Sequence, residues 1–578
     1  MSASLDGYYI GVDVGTGSAR ACLIDSTGTI VALAAKDISR WSPKSSYWNQ
    51  SSTQIWDSIC YCTNKIVADA QIDPNLIKGI GFDATCSLVV IHEKEDKPVG
   101  VGPDFDNHDQ NVILWMDHRA EKQTKEINKT GHNLLRYVGG GMSVEMEIPK
   151  AKWLKENMPK GVFDQCKLYD LADYLTHRAT GSETRSFCSV VCKQGYVPVG
   201  VDGSVKGWSE EFLNTVGLPE LVEDNFRRVG GVIGQNGQYL SAGETIGHLT
   251  EKSAKELGLS KSIAVGSGVI DAYAGWIGTV ASKFGPDDSN DIIESSDVAF
   301  NRLAAVAGTS TCHLVMSKDA VFVPGVWGPY KNVMIPDRWL AEGGQSTTGE
   351  LLHHVVTTHP ASDELKTIAE RMGVSTFAVL NSTLEQMAKD QGVPSVVYLA
   401  KHYFFYGDLY GNRSPIADSS MRGSIVGESM DVSLNALAIK YLAAVEFIGQ
   451  QTRHIIEALN KAGHQVKEIY LSGGQCRNTL LTQLMATCTG MPVIIPKYIE
   501  ASVVLGAAML GAKAASEGKL TLWEVMSKLS GKGSVIEPQA TDSVDYKLVH
   551  AKYEIFLDQA ERQRKYRKIV DEALGENE

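Results

Sequence analysis

The 578-residue chain lacks several features that mark particular classes of protein. It has no excess of positive charge, because its formal net charge is -13, and this argues against non-specific binding of nucleic acid. Its ten cysteines form no CxxC pair, which suits reduced thiols in a cytoplasmic protein better than disulfides or a zinc site. The N-terminus has no basic segment followed by an apolar core, so we expect no secretory signal. The least charged stretch near the other end, residues 501–512, is too short to span a bilayer.

The chain is long, and strand patterns alternate along it with helix patterns. Its length predicts more than one domain, and its 43% hydrophobic and 21% charged residues are ordinary for soluble globular enzymes. The negative net charge favours small metabolites over polyanions as ligands. Residues 29–38 and 76–84 have the pattern of strands and flank an amphipathic helix at 53–70. A strand at 468–474 and a helix at 475–490 repeat this order in the second half. The alternation indicates an α/β architecture.

The stretch YYIGVDVGTGSARACLID, residues 8–25, joins two apolar strands through a Gly-rich turn. A Walker loop or a dinucleotide fingerprint needs glycines that run from a strand into a helix, whereas this turn runs into a second strand. We predict a β-hairpin whose tip holds an anion with backbone N–H groups, and Gly15 and Gly17 are free to adopt positive φ. Asp13 is placed to hold the hydrated Mg²⁺ of a nucleotide. Taken alone, the same residues also fit a turn with only a structural role.

A second turn of the same kind lies in RLAAVAGTSTCHLVMS, residues 302–317. Two apolar strands again flank a tip of small residues, Gly308-Thr309-Ser310-Thr311. Two matching hairpins in the two halves of the chain indicate a duplicated ATPase fold. Each half of such a fold contributes one phosphate-binding tip, and the nucleotide lies in the cleft between them. A purely structural role is therefore a much weaker explanation for the pair than for either tip alone.

Ordered motifs over nearly the whole chain resemble those of the FGGY carbohydrate kinases. The motifs are GVDVGTGSAR, WMDHRA at 115–120, PKAKWLKEN at 149–157, GVIDAYAG at 268–275, AGTST, GGQSTTGE at 343–350, GNRSP at 411–415 and LSGGQCRN at 471–478. The family lies in the sugar kinase, heat-shock ATPase and actin superfamily, so the resemblance implies a two-domain, duplicated ribonuclease-H-like ATPase fold of the α/β class. We expect an N-terminal domain at 1–265 for sugar and phosphate. A C-terminal domain at 266–578 would hold the nucleotide and the catalytic Asp.

The resemblance implies ATP-dependent phosphorylation of a sugar hydroxyl, in which positioning and charge neutralisation supply most of the catalysis. ATP and Mg²⁺ are the implied cofactors, and Asp13 would face the metal through water. The residues implied to cradle the phosphates are Thr16, Gly17, Ser18 and Arg20 from the first hairpin and Gly308, Thr309 and Ser310 from the second. Those implied to contact the nucleobase and adenosine are Gly473, Gly474, Gln475 and Asn478. A lone strand, Gly-Gly and helix would otherwise be only a tight connection.

Asp271 receives the central role from the resemblance. It lies where a strand passes into an Ala- and Gly-rich helix, a place where Asp commonly serves as the helix N-cap. In the family this position holds the catalytic base, which accepts the proton of the sugar hydroxyl and orients that hydroxyl toward the γ-phosphate. We expect an ionised carboxylate with an ordinary pKa, because the proton moves late in a loose transition state.

The stretch FDATCSLVV, residues 82–90, bears on the choice of sugar. Xylulose kinases of the family carry Gln-Met-His-Gly in this region, and glycerol kinases carry an Arg-Glu pair nearby. Thr85, Cys86 and Ser87 instead resemble the stretch that marks D-ribulose kinases, with small side chains that leave room for the ketose. The alternative is that Thr85 and Ser87 cap a bend and that Cys86 is buried packing.

Two charged residues also fit a pentulose site. Lys193 lies among apolar residues, and its counterpart in ribulose kinases contacts the sugar. Glu342 matches a sugar-contacting Glu of the related L-ribulose kinases. The two could instead form a structural ion pair. Gln194 departs from the aromatic residue that often follows this Lys, which leaves the local shape of the sugar site open.

The resulting prediction is a cytoplasmic D-ribulokinase that converts D-ribulose to D-ribulose 5-phosphate with Asp271 as general base. Other ketoses or polyols, among them L-ribulose, D-xylulose and ribitol, are alternative substrates. A non-catalytic, nucleotide-dependent sugar sensor is a different class of alternative, and Asp271 argues against it. The expected partners are the sugar and ATP, with neither nucleic acid nor membrane, and a homodimer is the candidate assembly.

Overall fold

The computed structural model describes residues 5–284 and 295–576. In these segments the strands, numbered β1 to β22 in chain order, are Tyr8–Val14, Ser18–Ile24, Ile30–Asp37, Asn49–Gln50, Ile77–Ala84, Leu88–His92, Val112–Ile113, Cys166–Asp170, Arg185–Ser186, Tyr239–Leu240, Thr245–His248, Ala264–Gly266, Val269–Ile270, Arg302–Ala307, Thr311–Ser317, Trp327–Lys331, Trp339–Gln345, Phe404–Tyr406, Ser424–Val426, Glu468–Ser472, Val493–Ile495 and Ser534–Ile536.

The α-helices of the same segments are numbered α1 to α17. They are Ser52–Ala70, Glu121–Lys129, Glu147–Asn157, Leu171–Thr180, Phe187–Lys193, Glu210–Thr215, Glu223–Phe226, Glu251–Leu257, Asp271–Ile277, Gly349–Thr357, Ser362–Met372, Thr376–Gln391, Leu434–Ala462, Thr479–Thr489, Ser502–Ala515, Leu522–Leu529 and Val544–Leu574. Helix α1 follows its sequence pattern closely, since Ser51 caps its first turn and Ile55, Ile59 and Ile66 recur on its buried face.

Two sheets with the same strand order form the framework of the molecule. The first runs β3-β2-β1-β5-β12-β11, and β13 also pairs with β5. The second runs β17-β15-β14-β20-β21-β22, with β16 beyond β17. In each sheet the first three strands are antiparallel, the next two run parallel to the third, and the last is antiparallel again. The repeated order confirms the duplicated α/β fold predicted from the two hairpins.

The two halves interlock through two helices. Helix α15 follows β21 of the second sheet but packs against β1 and β5 of the first, and α9 packs against both α15 and β14. This approach needs glycine, because a Cβ on Gly11 would lie 2.1 Å from the Val504 carbonyl oxygen and one on Gly81 would lie 2.2 Å from that of Ala507. Strand β13 extends the first sheet to Ile270, and the division of the chain at residue 265 stays a prediction.

The structure shows the state of the cysteines and of the apolar stretch at 501–512. All ten cysteines are free thiols, eight of them buried. Within the part of the chain that the structure describes, no helix has both the length and the apolar composition needed to cross a membrane. The apolar stretch at 501–512 forms most of α15, where it is a packed core helix as predicted.

Candidate functional site

A cavity of about 710 Å³ lies between the two hairpin tips. Most of the predicted site residues line it, namely Asp13, Thr16, Gly17, Arg20, Thr85, Cys86, Lys193, Asp271, Gly308, Thr309, Ser310, Glu342, Gly473 and Gly474. Four predicted residues are not part of its lining, namely Ser18, Ser87, Gln475 and Asn478. The fold therefore gathers residues from positions 13 to 504 around one space.

The first tip, residues 15–17, closes the β1–β2 hairpin and is stabilised by hydrogen bonds within the turn and from a neighbouring side chain. The Gly15 N–H donates to the Ser18 carbonyl at 3.0 Å, and Trp115 Nε1 donates to Thr16 Oγ1 at 3.0 Å. Contrary to expectation, neither Gly15 nor Gly17 adopts a positive φ. The backbone at Gly17 borders open space, because nothing lies within 4 Å of the position that a Cβ would take. A ligand can approach the backbone there.

The second tip repeats this arrangement between β14 and β15. The Gly308 N–H donates to the Ser310 carbonyl at 2.8 Å. Gln475 Nε2 donates to the Gly308 carbonyl at 2.8 Å and to Thr348 Oγ1 at 2.7 Å. Gln475 thus supports the second tip, and its predicted contact with the nucleobase stays a prediction.

The Gly-Gly turn after β20 forms another wall of the cavity. Gly473 has φ +92°, and a Cβ on it would lie 2.1 Å from the Ala307 carbonyl oxygen, so only glycine fits. Gly474 has open space at its Cβ position and faces the cavity. The Asn478 side chain caps α14 and donates to the Tyr441 hydroxyl at 2.8 Å. Its hydrogen bonds are therefore made to the protein itself. Its predicted contact with adenosine stays a prediction.

Three carboxyl groups converge where parallel strands of the first sheet end. Asp13 on β1 lies opposite Asp83 on β5, and Asp271 directly follows β13, which pairs with β5. Burial raises the pKa of Asp13, while Arg20 at 3.7 Å and Asp83 act against that rise. Burial, Asp13 and Asp271 together raise the pKa of Asp83 well above its ordinary value. The centre therefore carries more carboxyl groups than nearby cations.

Asp271 opens helix α9 without serving as its N-cap. The capping position falls on Ile270, and Asp271 Oδ1 accepts a 2.7 Å hydrogen bond from the Ala272 N–H. Burial, followed by the Asp13 charge, raises the pKa of Asp271 to about 6. The expectation of an ordinary pKa is thus wrong, because the carboxyl lies in a buried acidic centre. The group is still mostly ionised at neutral pH.

Lys193 and Glu342 form a buried ion pair between α5 and β17. Lys193 Nζ lies 3.1 Å from Glu342 Oε2, and both side chains are at most 3% exposed. Glu342 also accepts from the Tyr273 hydroxyl at 2.9 Å and from Arg413 at 3.2 Å. Burial opposes both charges, but the partners hold the pKa of Lys193 well above its ordinary value and that of Glu342 below. The pair joins the two halves of the molecule.

The stretch that follows β5 divides into cavity-facing and buried residues. Thr85 and Cys86 line the cavity, whereas Ser87 is fully buried. The Thr85 and Ser87 hydroxyls lie 3.1 Å apart and bond to each other, as expected for two hydroxyls that support a bend. Gln194 Nε2 donates to Glu147 Oε2, so this residue contributes to the wall behind Lys193 rather than to the cavity.

Sequence reasoning missed Trp115, Glu145 and Arg413 in the cavity lining, and it missed Asp83 opposite Asp13. Trp115 and Arg413 lie inside the motifs WMDHRA and GNRSP, which supported the family resemblance. No function for these two residues was predicted from the sequence. Arg413 lies over the Trp327 ring at 4.2 Å and beside Glu342. Asp83 and Glu145 had no local signal, because only the sheet register and the cavity reveal them.

The residues at the acidic centre fit a magnesium ion. Asp13 lines the cavity beside the first tip, and both carboxyl oxygens of Asp83, opposite it on β5, are buried without a hydrogen-bond partner. Carboxylate oxygens are the ligands that Mg²⁺ prefers. Among residues 5–284 and 295–576, no group of three or more His, Cys, Asp and Glu forms a complete metal cage. A nucleotide-bound Mg²⁺ needs none, since phosphates and water supply most of its ligands.

The fold and this site are those of a sugar kinase. The model for the C-terminal domain of the FGGY family of carbohydrate kinases matches residues 303–515, and the model for its N-terminal domain matches residues 8–278. The chain therefore belongs to the FGGY family of carbohydrate kinases, and it is an ATP-using carbohydrate kinase. This confirms the resemblance carried by the motifs.

Individual relatives agree with this assignment. A D-ribulokinase of Saccharomyces cerevisiae is 46% identical, over 98% of this chain and 94% of the relative. A human FGGY carbohydrate kinase domain-containing protein is 43% identical, over 98% of each chain. Among solved structures, a xylulose kinase from Brucella ovis has a TM-score of 0.73 at 20% identity over 96% of this chain and all of that one. A gluconate kinase from Lactobacillus acidophilus has a TM-score of 0.74 at 19% identity, over 96% and 98%.

Proposed function

We propose that the protein phosphorylates D-ribulose to D-ribulose 5-phosphate, with Asp271 as the general base. The observation that carries the reaction is that Asp271 faces the same cavity as the two phosphate-binding tips. The choice of sugar is supported by the relative named D-ribulokinase, which matches almost the whole chain. Thr85 and Cys86 add small side chains to the cavity wall, which leaves room for a ketose.

In the proposed reaction the two tips bind the phosphates of ATP through backbone N–H groups and hydroxyls. Asp271 accepts the proton of the C5 hydroxyl as that oxygen bonds to the γ-phosphorus. The bond from the γ-phosphorus to the bridging oxygen breaks, and ADP leaves with the electron pair. Mg²⁺, when bound, neutralises phosphate charge, and Asp13 is the residue that would hold it.

The surroundings of Asp271 suit this role. Its pKa of about 6 makes it a stronger base than an ordinary Asp, yet it is still ionised at neutral pH. The Ala272 N–H holds one carboxylate oxygen, which leaves the other free for a hydroxyl. We propose a cytoplasmic location, in keeping with the ten free thiols.

The test is a panel of sugars, D-ribulose, L-ribulose, D-xylulose and ribitol, assayed by coupled ADP release at matched concentrations. We expect kcat/KM to be highest for D-ribulose. When the wrong epimer binds, polar groups of the site lose their hydrogen-bond partners on the sugar, and this lowers the affinity. A preference for any other sugar contradicts the choice of D-ribulose and leaves the kinase assignment intact. ATP hydrolysis that no sugar stimulates contradicts the proposed reaction.

A further inference from the structure

Four charged side chains line the cavity wall beyond Asp271, and their charges alternate. In order of contact they are Lys193, Glu342, Arg413 and Glu145. Arg413 lies 3.2 Å from Glu342 and 3.5 Å from Glu145, so it is shared between two carboxylates. These two carboxylates differ in how much hydrogen-bonding capacity they have left for a ligand.

Glu342 has little capacity left. Its oxygens accept from Lys193, Tyr273 and Arg413, all at 3.2 Å or less, and its side chain is 3% exposed. A sugar hydroxyl would have to displace one of these buried donors. Doing so would leave a buried polar group unpaired, which costs more than the new bond returns. Glu342 therefore acts mainly as the anchor that orients Lys193 and Arg413.

Glu145 is in the opposite situation. Its carboxylate has one polar contact among the described residues, the 3.5 Å approach to Arg413, and its side chain is 22% exposed toward the cavity. Its backbone is nevertheless fixed, because its N–H donates to Ser143 Oγ at 3.2 Å and its carbonyl accepts from Lys150 Nζ at 3.2 Å. A carboxylate with unused acceptor sites on a fixed backbone is suited to bind hydroxyl groups.

The position of Glu145 indicates which hydroxyl it binds. Tyr273, in the first turn of the helix that Asp271 opens, contacts Glu342, and the contacts then continue through Arg413 to Glu145. Glu145 thus lies at the end of this wall that is remote from the base. We place the C5 hydroxyl of the ketose on Asp271, as in the proposed function, so that its C1 end extends along this wall toward Glu145.

We propose that Glu145 is a specificity-determining residue that accepts a hydrogen bond from the C1 hydroxyl of the ketose. This proposal rests on the proposed function, since it takes the sugar to be a ketose phosphorylated at C5. Arg413 is the positioning residue that fixes the Glu145 carboxylate, and Glu342 in turn fixes Arg413. The role predicts selection against sugars that lack a hydroxyl at C1.

The experiment combines protein variants with a substrate analogue. Wild type, Glu145→Ala and the isosteric Glu145→Gln are assayed with D-ribulose and with 1-deoxy-D-ribulose. For wild type we expect kcat/KM to be about 10- to 100-fold lower with the analogue, as for the loss of a hydrogen bond to a charged group. For Glu145→Ala we expect kcat/KM with D-ribulose to fall by a similar factor, mainly because KM rises. The ratio between the two sugars should then fall to about threefold or less.

A purely structural role for Glu145 predicts a different result. It would lower kcat/KM for both sugars by the same factor, so an unchanged ratio in both variants overturns the proposal. Glu121→Gln, at an exposed Glu of α2, is the matched control and should behave as wild type. The KM for ATP and the melting temperature show that each variant is folded. If wild type prefers another ketose, the choice of D-ribulose fails, and the same cycle with that ketose and its 1-deoxy analogue still decides the role of Glu145.

Discussion

Asp13 and Asp83 lie opposite each other on the neighbouring parallel strands β1 and β5, and Asp13 lines the cavity while Asp83 is fully buried. Since parallel strands end at the same edge of a sheet, the next strand, β13, delivers Asp271 to the same place. The acidic centre is therefore a direct product of the sheet order. Burial raises the pKa of each of the three carboxyl groups, and the charge of Asp13 adds to the rise at Asp83 and Asp271.

The first prediction concerns the base. Asp271→Asn keeps the size of the side chain and the oxygen that accepts from Ala272, but it cannot take up a proton. We expect sugar-dependent kcat to fall by about 10² to 10⁴ while nucleotide affinity changes little. Coupled ADP release measures kcat, and calorimetric titration with ADP measures nucleotide affinity. Asp69→Asn, on the exposed face of α1, is the control. Undiminished turnover in Asp271→Asn would remove the base assignment.

The second prediction is a pH dependence of stability at the same residue. The pKa of Asp271 is about 6 in the folded protein and near its ordinary 3.8 when unfolded, so the folded state binds the proton more tightly. Wild type should therefore lose stability relative to Asp271→Asn as pH rises from about 4 to about 6, and no further above that. We expect the variant to be more stable at pH 7.5 by about 1 to 3 kcal/mol.

Thermal melts of the two proteins without ligands, from pH 4.5 to 8, measure this difference. The titration of carboxyl groups remote from Asp271 is common to both proteins and cancels in the comparison, whereas Asp83, whose pKa is raised in part by Asp271, contributes to the difference. A constant difference across the range would show that the pKa of Asp271 is not raised.

The third prediction separates a structural ion pair from sugar contact at Lys193. Lys193→Met leaves Glu342 buried with one cation fewer, so we expect a loss of about 3 kcal/mol in the free energy of unfolding. The double variant Lys193→Met with Glu342→Gln should recover part of that loss, because the unpaired charge is gone. Urea denaturation measures both. A normal stability of Lys193→Met, together with a raised KM for the sugar, would show that sugar contact is the main role of Lys193.

The fourth prediction compares two adjacent glycines that undergo the same chemical change. Gly473→Ala places a Cβ 2.1 Å from a carbonyl oxygen at positive φ, so we expect it to destabilise the protein by at least about 1 to 3 kcal/mol. Gly474→Ala has open space, so it should melt as wild type does and instead raise the KM for ATP, because its Cβ enters the cavity. If the two variants had the same melting temperature and the same KM for ATP, the placement of Gly473 and Gly474 in the cavity wall would be wrong.

Local sequence was sufficient for the elements and the family. The alternation of apolar runs predicted the strands that flank α1, and the small residues of the two tips predicted both hairpins. These features depend on neighbours in the chain, since a hairpin needs only a short turn between two strands and a helix face needs only its spacing. The family resemblance also named fourteen residues that line the cavity, with Asp271 among them.

Only the tertiary structure showed the pKa shifts of the site residues and which of them pair with each other. Asp83, near in sequence to Thr85, becomes a member of the acidic centre only through its register with Asp13. Lys193 and Glu342 are 149 positions apart, and only the packing of the two halves shows that they pair and that Glu145 keeps free acceptor sites. The physical reason is that burial and Coulomb interaction depend on distances in space. The sequence therefore determined which groups are present, and the fold determined their charge, their partners and the space that a sugar can enter.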